Sequence, residues 1–89
     1  MVELHQHDDY FELDAEQRDF LQRLLFLDYL ESLEVMEFKL LGRRPHLAYT
    51  IHADMEHHIK NESYETAQLY KDMAKRFKKE IIDFDKFHK

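Results

Sequence analysis

The densest collection of groups able to do chemistry lies between residues 52 and 62, in the run HADMEHHIKNE. On a helix, Asp54 stands three residues before His57 and four before His58, so all three share one side. An acid followed three residues later by His resembles the spacing used in di-iron helical bundles, which draw their remaining carboxylates from other helices. Glu31, Glu34 and Glu37 are the acids an antiparallel neighbour would offer. Two features weigh against such a centre. No complete Glu-x-x-His is present, and the segment around those glutamates carries mainly apolar residues at its inward positions. His57 and His58 also sit beside the apolar line Leu47, Ile51, Met55 and Ile59 rather than clearly within it. The expectation is therefore surface histidines, no metal and no cofactor. Asp54, His57 and His58 are the residues that would carry a metal site if one existed. His5 and His7 form a second short pair that any transition metal can find on a polar arm. With seven histidines in the chain, a pH-sensitive interface stays open.

Other chemistry is thin. The absence of cysteine removes thiolate catalysis, disulfides and Cys-based zinc sites together. Ser32 and Ser63 have helical or capping contexts, without a nucleophile–base constellation around them. Neither a phosphate-cradling glycine loop nor an HExxH pair is present. A small helical protein offers little room for a cleft. The sequence reads as a non-enzyme.

The elements that position these residues are helices. Eighty-nine residues make one domain with a small core. One Gly and one Pro are too few for the turns of an all-β fold. Residues 1–13 form a polar arm in which Tyr10, Phe11 and Leu13 are apolar enough to pack back. Asp14, with Gln17 three residues on, has the pattern of a capping box. A helix over 15–41 follows, with Phe20, Leu24, Leu27, Leu30, Leu33, Met36 and Leu40 as its main apolar line. Leu21, Leu25, Phe26, Tyr29, Val35 and Phe38 fill flanking positions, so the helix is apolar over most of its circumference. A chain this short has too few other helices to cover it, which favours self-association or a partner.

Gly42 stops that helix, Arg43 and Arg44 suit its negative end, and Pro45 suits the start of the next. The second helix runs over 46–60, where Asn61 can take the left-handed conformation that ends it. Ser63 can cap a third helix over 64–84, whose seam is Ala67, Tyr70, Ala74, Phe77, Ile81 and Phe84. The expected fold is all-α. It is a three-helix antiparallel bundle in residues 14–89, with one long N-terminal helix and a C-terminal hairpin, completed by dimerisation.

Residues 52–77 resemble the UVR motif, the helical hairpin of the UvrB and UvrC excision-repair proteins and of McsA-type regulators. Met55 and Ile59 match its leading apolar positions, Tyr64-Glu65 its aromatic–acid pair, Ala67 a small position and Phe77 the later apolar one. Lys71-Asp72 stands where Arg-Asp is usual. Gln68 and Ala74 depart from the pattern. The resemblance implies a protein–protein contact module rather than a catalyst, with Met55, Ile59, Tyr64, Glu65, Tyr70, Asp72 and Phe77 contacting another protein or a second copy.

Charge supplies the competing reading. The formal net charge of −6 disfavours duplex DNA as a ligand. It leaves room for an acidic inhibitor that imitates DNA or blocks a basic surface. The acidic N-terminus lacks a secretory pattern, and no apolar run spans a bilayer. A cytoplasmic location without membrane contact is expected.

Overall fold

Asp14 and Gln17 do begin the first long helix. The Gln17 N–H donates to Asp14 Oδ1 at 2.8 Å and the Asp14 N–H donates back to Gln17 Oε1 at 3.2 Å, closing the capping box. The computed structural model describes residues 9–39 and 45–87. Leu40, the Gly42-Arg43-Arg44 joint and the His5/His7 pair lie outside them. The described residues are all-helical, without strands. After a single 3₁₀ turn at Tyr10–Glu12 come α1 (Ala15–Lys39), α2 (Leu47–Lys60), α3 (Tyr64–Arg76) and α4 (Lys78–Phe87). Among the described residues, no helix is long and apolar enough to cross a membrane.

Pro45 precedes α2 rather than opening it. His46, in extended conformation, leads into the helix and Leu47 is its first residue. The turn between α2 and α3 also differs from expectation by one position. Asn61 is right-handed (φ −90°), and Glu62 takes the left-handed conformation at φ 60°. The Ser63 N–H donates to the His58 carbonyl at 2.8 Å and the Glu62 N–H to the Ile59 carbonyl at 3.0 Å. These two bonds are a Schellman closure with Glu62 in the place glycine usually holds. The Ser63 side chain makes no capping bond.

The expected helix over 64–84 is two helices that meet at Phe77. Neither Gly nor Pro marks the break. The Phe77 N–H still donates to Met73 and the Phe77 carbonyl still accepts from Ile81, at 3.0 and 2.9 Å, so helical bonding carries through the bend. The Phe77 ring stacks on Phe26 of α1, with centroids 4.3 Å apart and planes 5° from parallel. Beyond it α4 packs against α2.

The core holds Leu25, Phe26, Tyr29 and Leu33 of α1, Leu47 and Ile51 of α2, Leu69, Tyr70 and Met73 of α3, and Ile81 of α4. The third-helix seam is inside as expected, with Ala67, Tyr70 and Ile81 buried and Ala74, Phe77 and Phe84 packed against them. Tyr10 of the N-terminal arm is fully buried as well. On α1 the order of the two apolar sets is reversed. Leu21, Leu25, Phe26 and Tyr29 of the flanking set face inward, whereas Phe20, Leu24, Leu27 and Met36 of the main line are exposed.

Candidate protein–protein interface

Helical spacing explains that reversal. At 100° per residue, Phe20, Leu24 and Leu27 fall on one narrow strip, and Leu25, Phe26, Tyr29 and Leu33 fall on the opposite side. Specific contacts hold the second set inside. Phe26 stacks on Phe77, Tyr29 meets Tyr70 edge-on at 6.2 Å, and the Tyr29 hydroxyl donates to Asp54. Phe20, Leu24 and Leu27 are left 61%, 41% and 58% exposed, and Val35 further along is exposed too. The fold is 16 Å across its thinnest dimension, about what two packed helices occupy, and among the described residues nothing covers the strip. Glu31 falls in line with the strip one turn beyond Leu27, and Arg23 and Glu34 lie along one edge of it, all three exposed.

The hairpin residues singled out in the sequence divide into three groups. Ile59 and Tyr64 are exposed on either side of the α2–α3 turn. Tyr70 is in the core, while Met55 and Phe77 are partly buried against it. Glu65 and Asp72 serve the chain's own N-terminal turn. The Phe11 N–H donates to Glu65 Oε2 at 2.9 Å, and the Tyr10 hydroxyl donates to Asp72 Oδ2 at 2.7 Å. Gln22 donates to the same hydroxyl at 3.0 Å. Arg18 lies over the Tyr10 ring, 5.0 Å from its centroid, and donates to the carbonyls of Tyr10 and Phe11. Burial, followed by the bond to Asp72, raises the Tyr10 phenol above its ordinary value. The acid positions of the hairpin thus anchor residues 10–12 onto α3.

The possible metal ligands do not converge. Asp54 accepts from Tyr29, and burial foremost with that bond raises the Tyr29 phenol strongly. The His57 ring reaches the Asn61 amide at 3.0 Å. His58 points inward, buried against Tyr70 with ring centroids 4.9 Å apart, and takes the core position that Ile59 was expected to fill. Among the described residues, no group of three His, Asp or Glu side chains is placed to hold a metal ion.

Charge is divided across the molecule. Five of the 13 Lys and Arg residues fall between 71 and 79: Lys71, Lys75, Arg76, Lys78 and Lys79. Arg76 pairs with Asp19 of α1 and bonds Gln22 at 3.3 Å. The four lysines are exposed. Sequence reasoning missed the outward strip of α1 because it placed those residues inside. The placement of Lys78 beside Ala48, Ile51, His52 and Met55 of α2 was not legible in the sequence, because it needs α4 folded against α2. No family model, curated protein or solved structure matches this chain.

Proposed function

We propose that this chain is a small non-enzymatic helical interaction module, an adaptor of the kind the UVR-like spacing suggests, and that it works as a homodimer joined through the outward strip of α1. The observation that carries this reading is the exposure of Phe20, Leu24 and Leu27 on the side of α1 opposite the core. Large apolar side chains at i, i+4 and i+7 on a solvent face mark a helix-pairing seam.

Charge favours a second copy in antiparallel orientation. With a two-fold axis beside Leu27, residues equally far before and after it meet. Arg23 then faces Glu31 of the partner subunit, twice by symmetry. A parallel pairing would instead set Glu31 and Glu34 against their own copies, which is unfavourable. The second layer that a short chain lacks is supplied by the dimer. Ile59 and Tyr64, exposed at the far turn of the hairpin, stay available to another protein.

The acidic-inhibitor reading draws less support, because the 13 Lys and Arg are interleaved with the 19 Asp and Glu along the chain, so the acid is not concentrated. Sedimentation equilibrium tests the dimer. The expected result is a dimer that Leu27→Glu converts to monomer with an unchanged helical circular-dichroism spectrum. A wild-type protein that stays monomeric to about 100 μM, where even weak specific pairs associate, overturns it.

A further inference from the structure

A second apolar surface lies away from the α1 strip, in the groove between α2 and α4. Ile51 and Met55 line one side and Ile81 and Ile82 the other, around a depression of about 320 Å³. Small side chains open it, Ala48 from α2 and Ala74 from α3, where larger residues would close the gap. Ile81 is buried at its base and Ile82 is a half-exposed wall. Lys78 stands at the mouth. Lys78 and Ile82 also border a neighbouring shallow depression lined by Lys75, Arg76, Lys79 and Asp83. The apolar groove therefore runs directly into a cationic shelf.

The two rims differ. The α2 rim carries His52 and Glu56, which approach each other at 3.6 Å. The opposite side carries Lys75 from the end of α3 and Lys78 and Lys79 of α4, with Asp83 as the acid among them. From Ala48 to Met55 the groove follows about two helical turns, enough for two or three anchors spaced i, i+3 or i+4, and i+7.

We infer that the α2–α4 groove binds an amphipathic helix of another protein, whose apolar anchors enter between Ile51 and Ile82 and whose acidic flank lies along Lys75, Lys78 and Lys79. Charge selects this occupant. A basic helix would meet three cations on the shelf, whereas glutamates one turn apart would pair with them. The surface is separate from the dimer seam, so it stands or falls independently of the homodimer.

The probe is a labelled synthetic helix of about 18 residues, long enough for stable turns when docked, with leucines on one face and glutamates on one flank. A control peptide keeps the leucines and carries lysines on the flank. Binding is read by fluorescence anisotropy and by backbone amide shifts of the full chain. The expected result is saturable binding of the glutamate peptide, weakened by salt and by at least about tenfold in the lysine peptide. Shifts should centre on Ala48, Ile51, Ala74 and Ile82. K75E/K78E and I82S, all at exposed positions, should each cost about tenfold in affinity. Four outcomes overturn the inference: no binding, equal affinity for both peptides, affinity unmoved by these variants, or shifts centred on Phe20, Leu24 and Leu27. A fifth does so too: groove amides that shift with protein concentration in the absence of peptide, which would mean that a second copy occupies the groove.

Discussion

Asp85, near the end of α4, caps the start of α2. Its Oδ1 accepts the Leu47 N–H at 2.6 Å and its Oδ2 accepts the Ala48 N–H at 3.0 Å. His46, the residue in the local capping position, makes no side-chain capping bond. The opening turn of α2 thus relies on a carboxylate 38 residues away. Two first-turn donors are satisfied and a negative charge sits at the positive end of the helix dipole. Asp85→Ala should destabilise the protein by about 1–2 kcal/mol. Asp85→Asn, which keeps one acceptor, should cost less. Urea unfolding followed by circular dichroism checks both, and loss of amide protection should concentrate at Leu47 and Ala48.

Glu62 makes a prediction of the opposite sign. A side chain in the left-handed region costs about 1 kcal/mol, because Cβ crowds the carbonyl. Glycine avoids that contact, and the Schellman bonds to His58 and Ile59 use only backbone. Glu62→Gly should therefore stabilise the chain by about 0.5–1 kcal/mol, the larger freedom of glycine in the unfolded state offsetting part of the gain. Glu62→Val, β-branched in the same conformation, should destabilise it by more than 1 kcal/mol or so. Thermal melts of the pair should bracket the wild type.

These two residues also show what a sequence can and cannot announce. The Asp14–Gln17 box was legible because both partners lie within one turn. The third-helix seam was legible because one periodic stripe was apolar and its opposite side charged. Glu62 was off by one because the left-handed position depends on where the last helical turn closes, and Asn61 is the better residue for it by type alone. Asp85 was invisible because its targets are local to it only after α4 folds onto α2. The two sides of α1 were the hardest case. Phe20, Leu24 and Leu27 are as apolar as Leu25, Phe26 and Leu33. The choice between them is made by Phe77, Asp54 and Tyr70, all outside α1. For the candidate interface, the same ambiguity hid the outward strip while correctly implying that a surplus of apolar surface must exist.

Tyr10 and Tyr29 predict the response to alkali. Burial, and then the carboxylates of Asp72 and Asp54, raise both phenols above 10.0. Below that pH the phenols are neutral in folded and unfolded chain alike, and the stabilisation is fully present. Above it the unfolded chain releases protons that the folded chain retains, so stability falls as pH rises. Between 10.0 and its own folded value each phenol adds a slope that approaches, and does not exceed, about 1.4 kcal/mol per pH unit. Tyr29→Phe, at the strongly raised phenol, should flatten the alkaline limb by up to that amount, and Tyr10→Phe should flatten it in the same direction. At neutral pH each should cost about 1–2 kcal/mol for the lost hydroxyl bond. Stability measured by urea unfolding from pH 7 to 11.5 or so separates the two effects, because the neutral-pH loss does not change the slope.

The proposed dimer can be tested for orientation as well as existence. In the antiparallel arrangement Arg23 meets Glu31 of the partner subunit at two symmetric places. Reversing one charge turns two attractions into two repulsions. Exposed pairs contribute about 0.2–1 kcal/mol each, so Arg23→Glu or Glu31→Arg alone should weaken association by about 1–2 kcal/mol, roughly five- to thirtyfold in Kd. R23E/E31R should recover most of the affinity, because the pairs re-form with their signs exchanged. Arg23 also pairs with Asp19 within its own helix at 3.1 Å, so the unfolding free energy of the monomer must be measured beside Kd to separate the two losses. A parallel dimer gives a different pattern. There Glu31 faces its own copy, so Glu31→Arg merely exchanges one like-charge pair for another, and R23E/E31R restores nothing. Recovery in the double variant, read as a coupling energy by sedimentation equilibrium, therefore separates the two orientations.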